Sequence, residues 1–249
     1  MKNISLIFNP KPEASIAEWF RIHSKIIISI LVLIILFITM QHGNNIIILF
    51  ENNKPSQSIG TPSNGRLING KRLPSSGPNF KTYSRLLNLI GRNHVHHKVR
   101  NIILDTYNNL YKKYPNKKFI YGETGLKKGG TFWPHKTHQN GLSVDFMVPV
   151  INKDQKSVFL KTNIFNLWGY KYEFDAKGIE KKYQIDFQAL AAHINELQKV
   201  SQKYGIRIRY VIFDPQLQKY LSNVNAIHFS QKRSWIRHDE HYHVEFEIL

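Results

Sequence analysis

Residues 241–248 read His-Tyr-His-Val-Glu-Phe-Glu-Ile, with polar and apolar side chains in alternation. That period of two belongs to a β-strand, whose successive side chains point to opposite faces. His241, His243, Glu245 and Glu247 therefore share one face, and Tyr242, Val244, Phe246 and Ile248 the other. Residues 142–148 behave alike: Leu142, Val144, Phe146 and Val148 alternate with Ser143, Asp145 and Met147. The apolar set predicts a core face, and the other face carries Asp145 toward a cleft. Pairing of these two strands would bring Asp145 and His243 together.

Two further strands are predicted at residues 118–121 and 206–213. Helices are predicted where apolar residues recur at helical spacing. Over residues 98–114 the stripe is Val99, Ile102, Ile103, Tyr107, Leu110 and Tyr111, ended by Pro115. Over residues 186–204 it is Phe187, Leu190, Ala191, Ile194, Leu197 and Val200, with Asp186 as N-cap and Gly205 as stop. This mixed order predicts an α+β domain with a mainly antiparallel central sheet flanked by helices. It also has an N-terminal hydrophobic anchor segment.

That segment is the uncharged apolar run at residues 26–40. Fifteen residues is short of the roughly 20 that span a bilayer. Trp19, Phe20 and Ile22 can lengthen it, with Arg21 and Lys25 reaching the interface. Lys2, Lys11, Arg21 and Lys25 precede the run, and the first basic residue after it is Lys54. By the positive-inside rule the N-terminus is cytoplasmic and the rest lies outside. A cleaved secretory signal is the rival reading, although no small-x-small site follows Met40. Four parts result: a cytoplasmic segment (1–25), the anchor and its flank (26–50), an extended lead-in (51–80) and a catalytic domain (81–249). In the lead-in, rich in Asn, Pro, Ser and Gly, residues Ile59, Leu67, Ile68 and Leu73 are expected to pack on the domain.

The chain has 249 residues, no cysteine and a formal net charge of +18. Lacking cysteine, it has neither disulfides nor a thiolate metal site. The charge reads either as compositional bias toward Lys, Asn and Ile or as attraction to a polyanion. A nucleic-acid binder would leave the histidines unexplained, so no nucleic acid is expected. The oligomeric state is not legible.

Five of the twelve histidines fall in two clusters. One is His135-Lys-Thr-His138-Gln-Asn-Gly141-Leu-Ser-Val-Asp145, the other His238-Asp-Glu-His241-Tyr-His243. A catalytic zinc takes three protein ligands and keeps one position open. His138, Asp145 and His243 would supply two nitrogens and one oxygen, for one Zn2+ per chain. His241 points into the same cleft as His243 and is a candidate general base. Glu240 falls on the opposite face of a regular strand, and only a bend would bring it in. His238 and His135 flank the site, either to stabilise charge and orient groups or as polar neighbours of the ligands.

At these residues the sequence resembles the penicillin-insensitive murein endopeptidases, over roughly residues 56 to 248. The two histidine clusters resemble that family's first and closing motifs. Ser56-Gln-Ser-Ile-Gly60, Gly122-Glu-Thr-Gly125, Gly129-Gly130 and residues 211–221 resemble the stretches between. Of an aromatic-Gly-His-Pro run in that family, this chain keeps only His97.

The resemblance implies zinc held by His138, Asp145 and His243, and active-site places for His135, His238 and His241. For His97 it implies a substrate-facing role. It implies hydrolysis of the D-alanyl–diaminopimelate cross-link between peptidoglycan stems by a metal-activated water, in the periplasm. Related D-Ala-D-Ala dipeptidases carry a catalytic Glu at the offset of Glu240, so Glu240 and His241 both stand as the proton carrier. A carboxypeptidase or L,D-endopeptidase on the same scaffold is the alternative, as is a non-catalytic wall-binding module. Surplus Lys and Arg would complement the anionic stems.

Overall fold

A computed structural model describes residues 16–224, 227–232 and 236–249. Lys2 and Lys11, which carry part of the charge asymmetry, lie outside the described residues, as does most of the cytoplasmic segment. The chain divides into two units, residues 1–41 and 42–249.

The first unit holds most of helix α1 (Ile16–Leu49). Its stretch His23–Leu49 runs 27 residues at a mean hydropathy of 2.4. At 1.5 Å per residue that is long enough to cross a bilayer. Ile26, Ile27, Leu33 and Phe37 are all exposed. An apolar surface all round a helix is at home in lipid and not in water.

The second unit begins in the last turns of α1. Asn44 is buried there; its amide donates to the Leu73 carbonyl at 2.9 Å, and its oxygen accepts from Arg72 and Asn93. Asn45 accepts the Ser75 N–H at 3.0 Å. The lead-in then folds back as a hairpin, β1 (Gln57–Thr61) against β2 (Asn64–Ile68). Leu67 and Leu73 are buried as expected, whereas Ile59 and Ile68 stay exposed on the hairpin's outer face. The short strands β3 (Lys71–Arg72), β4 (Phe80–Thr82) and β5 (His94–Val95) follow, with α2 (Arg85–Leu89) between the last two.

Helix α3 (His97–Lys113) buries Val99, Ile102, Ile103, Tyr107 and Leu110. Tyr111, read as part of that stripe, is 40% exposed, since the buried arc is narrower than the sequence pattern. Next come β6 (Phe119–Tyr121), β7 (Ser143–Met147) and the small strands β8 (Val150–Ile151) and β9 (Ser157–Val158). Strands β10 (Ile179–Glu180) and β11 (Tyr183–Ile185) lead to α4 (Phe187–Lys203). Asp186 caps α4 by accepting the Ala189 N–H at 3.0 Å, and Gly205 ends it at φ 63°. Strand β12 (Ile206–Ile212), the single turn α5 (Pro215–Gln218) and β13 (His241–Ile248) complete the chain.

The central sheet has the order β12-β13-β7-β6-β4. Its neighbours are antiparallel except β4 and β6, which run parallel. Helix α3 packs on α4, and α4 on β12. Their apolar stripes meet Val144, Phe146, Tyr242, Val244 and Phe246 in one core. Each such side chain contributes about 1.5–3 kcal/mol by leaving water. With that face of β7 and β13 committed to the core, their polar residues are fixed on the other.

Candidate active site

Strands β7 and β13 pair with Asp145 directly opposite His243 and Met147 opposite His241. The pairing delivers three polar residues to one place. His138 arrives from the loop before β7, in a left-handed conformation at φ 70°. Gly141, at φ 77°, closes that loop; a β-carbon there would lie 2.8 Å from the His96 nitrogen, so only glycine fits.

Asp145 is the hub, and all but buried. Its Oδ1 lies 2.8 Å from His243 Nδ1 and 3.3 Å from His138 Nε2. Its Oδ2 accepts the Tyr170 hydroxyl at 3.1 Å and lies 3.8 Å from His135 Nδ1. His138 Nδ1 donates to the Thr124 carbonyl at 3.1 Å, which aims Nε2 at Asp145. That Nε2 is buried and makes no hydrogen bond among the described residues. A buried ring nitrogen left without a hydrogen bond beside a carboxylate is where a cation can be held. The donor set thus fits a divalent metal that takes imidazole and carboxylate, and the carbonyl behind His138 is the usual orienting partner of such a ligand. His135, His138 and Asp145 form a group whose ligand atoms all lie within 4.8 Å of one another. His243 adjoins it through the same Asp145 oxygen.

The charges follow. Burial would raise the Asp145 carboxyl, but the imidazoles around it hold it well below the carboxylate range. Burial would lower His243, yet its bonds to Asp145 and Glu245 outweigh that and hold it at about 9. Glu245 Oε1 stands 3.6 Å from His243 Nε2 and takes a hydrogen bond from the Tyr210 hydroxyl at 3.2 Å. His135 and His238 go the other way. Burial pushes each down to about 3, so both are neutral at physiological pH.

His241 is set apart by its partner. Its Nδ1 lies 2.8 Å from Glu240 Oε1 and donates to it, which leaves the lone pair on Nε2. Burial would lower His241, but the Glu240 charge and hydrogen bond more than offset it and the net shift is upward. Glu240 precedes the strand and is buried behind His241. The His238 and His241 rings stand 4.5 Å apart.

These groups open into a cleft of about 410 Å³ lined by Asp145, His135, His238, His241, His243 and Tyr170, among others. All of these but Tyr170 are residues that the sequence pattern singles out. Glu240 does not line the cleft and reaches it only through His241. His97 is elsewhere: its Nδ1 accepts the Ser56 N–H at 2.9 Å and its own N–H bonds Ser56 Oγ, which ties the lead-in to the start of α3. Tyr170 and Glu123 were not singled out from sequence. Both Glu123 oxygens accept from Arg92 Nε at 3.0 Å, and its backbone N–H donates to the Tyr170 hydroxyl at 3.0 Å. Only the Gly122-Glu-Thr-Gly125 run hinted at Glu123, and nothing periodic marked Tyr170.

A candidate metal centre beside a carboxylate-backed histidine, in a cleft on an α+β sheet, defines a hydrolase-type site. The sequence profile of the penicillin-insensitive murein endopeptidase family matches residues 58–248, and the chain belongs to that family. Both histidine clusters fall inside the match. No curated protein sequence matches the chain. Membership supports peptidoglycan hydrolysis, and the N-terminal apolar helix is compatible with a membrane-anchored or exported cell-wall enzyme.

Proposed function

We propose that this protein is a zinc-dependent murein endopeptidase that hydrolyses the D-alanyl–diaminopimelate cross-link between peptide stems. The observation that carries it is the buried His138 Nε2, without a hydrogen bond and 3.3 Å from Asp145 Oδ1, with His243 Nδ1 on the same oxygen. His138, Asp145 and His243 would hold the metal. Zinc supplies there the charge that polarises an amide carbonyl and acidifies water.

The remaining steps belong to the chain. His241 takes a proton on Nε2 and returns it to the leaving amine, while Glu240 holds the ring by Nδ1 and stabilises the cation that forms. His238 and His135, kept neutral by burial, flank the cleft where they orient groups of the scissile amide. Lys and Arg in surplus favour stems with free carboxylates.

The same reading places the enzyme in the periplasm, held to the inner membrane by residues 26–40. Helix α1 runs unbroken to Leu49, with Asn44 and Asn45 bonded into the folded unit. A processing peptidase works on extended backbone, which this stretch does not offer. Full-length protein in the membrane fraction is expected; a shortened soluble form would refute the anchor.

The activity is tested by digesting cross-linked muropeptide dimers with the full chain, with and without a chelator, and weighing the products. Monomers that form only in zinc-replete buffer are expected. Loss of a terminal D-Ala alone would make it a carboxypeptidase, and no cleavage at all would sink the enzyme reading.

A further inference from the structure

The outer oxygen of Asp145 is held by a residue that comes from neither histidine cluster. Tyr170 donates to Oδ2 at 3.1 Å and accepts the Glu123 N–H at 3.0 Å, so its hydroxyl is fixed from two sides. Its ring lies edge-on to His241 at 4.9 Å and to His135 at 6.1 Å.

The backbone pays a conformational cost to put it there. In the turn Ile164–Gly169, Leu167 and Trp168 adopt φ 48° and 53°, a left-handed pair that side chains disfavour. Reciprocal bonds between Asn163 and Asn166 hold that turn, and Asn166 also accepts the Gly169 N–H at 3.0 Å. On the facing side Gly122 makes room. A β-carbon at Gly122 would lie 2.6 Å from the Tyr170 hydroxyl. Gly122 has no left-handed backbone to explain it; the phenol is the nearest atom that a β-carbon would meet, with Asp145 Cβ next at 3.3 Å.

We propose that Tyr170 is a positioning residue of the metal centre. By engaging Oδ2 it leaves Oδ1, the oxygen shared with His138 and His243, as the one that Asp145 presents to the cation. The proposal rests on the metal reading above. Partners of this kind typically govern metal affinity by about 10–100-fold.

The test is zinc affinity, measured by competition with a chromophoric chelator on the full chain, so no substrate is involved. Tyr170→Phe removes one oxygen and keeps the ring. It should weaken Kd for zinc by about 10-fold or more and shift the visible spectrum of the cobalt-loaded protein, with the far-UV circular dichroism of the metal-free protein unchanged. Gly122→Ala leaves the phenol in place but crowds it, and should weaken zinc binding too.

In the Tyr170→Phe background the same Ala substitution should cost less than in the wild type, because the nearest atom it would meet is gone and only the contacts with Asp145 remain. Strictly additive losses, or a Tyr170→Phe Kd within about twofold of wild type where about 10-fold is expected, would overturn the proposal. Absence of zinc from the wild-type protein would overturn the metal reading beneath it instead.

Discussion

Strands β7 and β13 have two faces, and each buries a histidine. On the polar face His241 leans on Glu240 at 2.8 Å. Against the apolar face α4 places His193, whose Nδ1 meets the Tyr242 hydroxyl at 2.6 Å amid the rings of Phe119, Phe146 and Tyr107. Both are shielded from water. Burial pushes His193 down to about 3, because nothing charged offsets it, whereas Glu240 carries His241 upward in spite of burial. Burial alone makes a histidine a neutral piece of core; a carboxylate on one ring nitrogen makes it a base.

The largest expected effect separates the two faces most sharply. His241→Ala should lower the rate on muropeptide dimers by about 100-fold or more with zinc content intact. Glu240→Gln, which keeps a hydrogen-bond acceptor but not the charge, should lose less. The reverse order would make Glu240 the proton carrier. Across the sheet, Phe146→Ala should cost about 3–5 kcal/mol of stability in a denaturant titration. Its turnover per folded molecule should stay close to wild type, and a loss like that of His241→Ala would break the separation of faces.

A smaller effect appears in pH. The unfolded chain protonates His193 near 6.5, while the native chain resists down to about 3. Between those values the unfolded state binds the extra proton, so stability falls as pH drops, by about 1.4 kcal/mol per unit for this group. The neutral His135 and His238 add to the same slope, so the difference between wild type and His193→Phe isolates the share of His193. An unchanged slope in that variant would contradict its buried, neutral state. Least of all should matter Arg207, whose ion pair with Glu247 at the sheet's edge is exposed. Arg207→Ala should cost under about 1 kcal/mol in the same titration.

The contrast between faces was legible in the sequence because strand parity is local. Alternation alone put Asp145 and His243 on one side and Phe146 and Tyr242 on the other. The register that sets Asp145 opposite His243 was reachable only as a conjecture about pairing, since nothing within either strand specifies its neighbour. Glu240 shows the limit of parity. Its backbone lies outside the regular strand, so its carboxylate turns to His241 instead of to the far face. Tyr170 and Glu123 lay beyond reach because irregular loops place them, and loop positions follow from contacts distant in sequence. His97 lies away from the cleft lining, bonded to Ser56, and nothing in the sequence around it marks that contact across 41 residues.

The central claim is that His138, Asp145 and His243 hold one zinc, while His135, 3.8 Å from Asp145 Oδ2, only flanks it. Metal content of the purified full chain tests this directly. The account predicts one zinc per chain in the wild type and in His135→Ala, and none in His138→Ala or His243→Ala. Full occupancy in His243→Ala together with loss in His135→Ala would contradict it, and would move the third ligand from the closing strand to the loop.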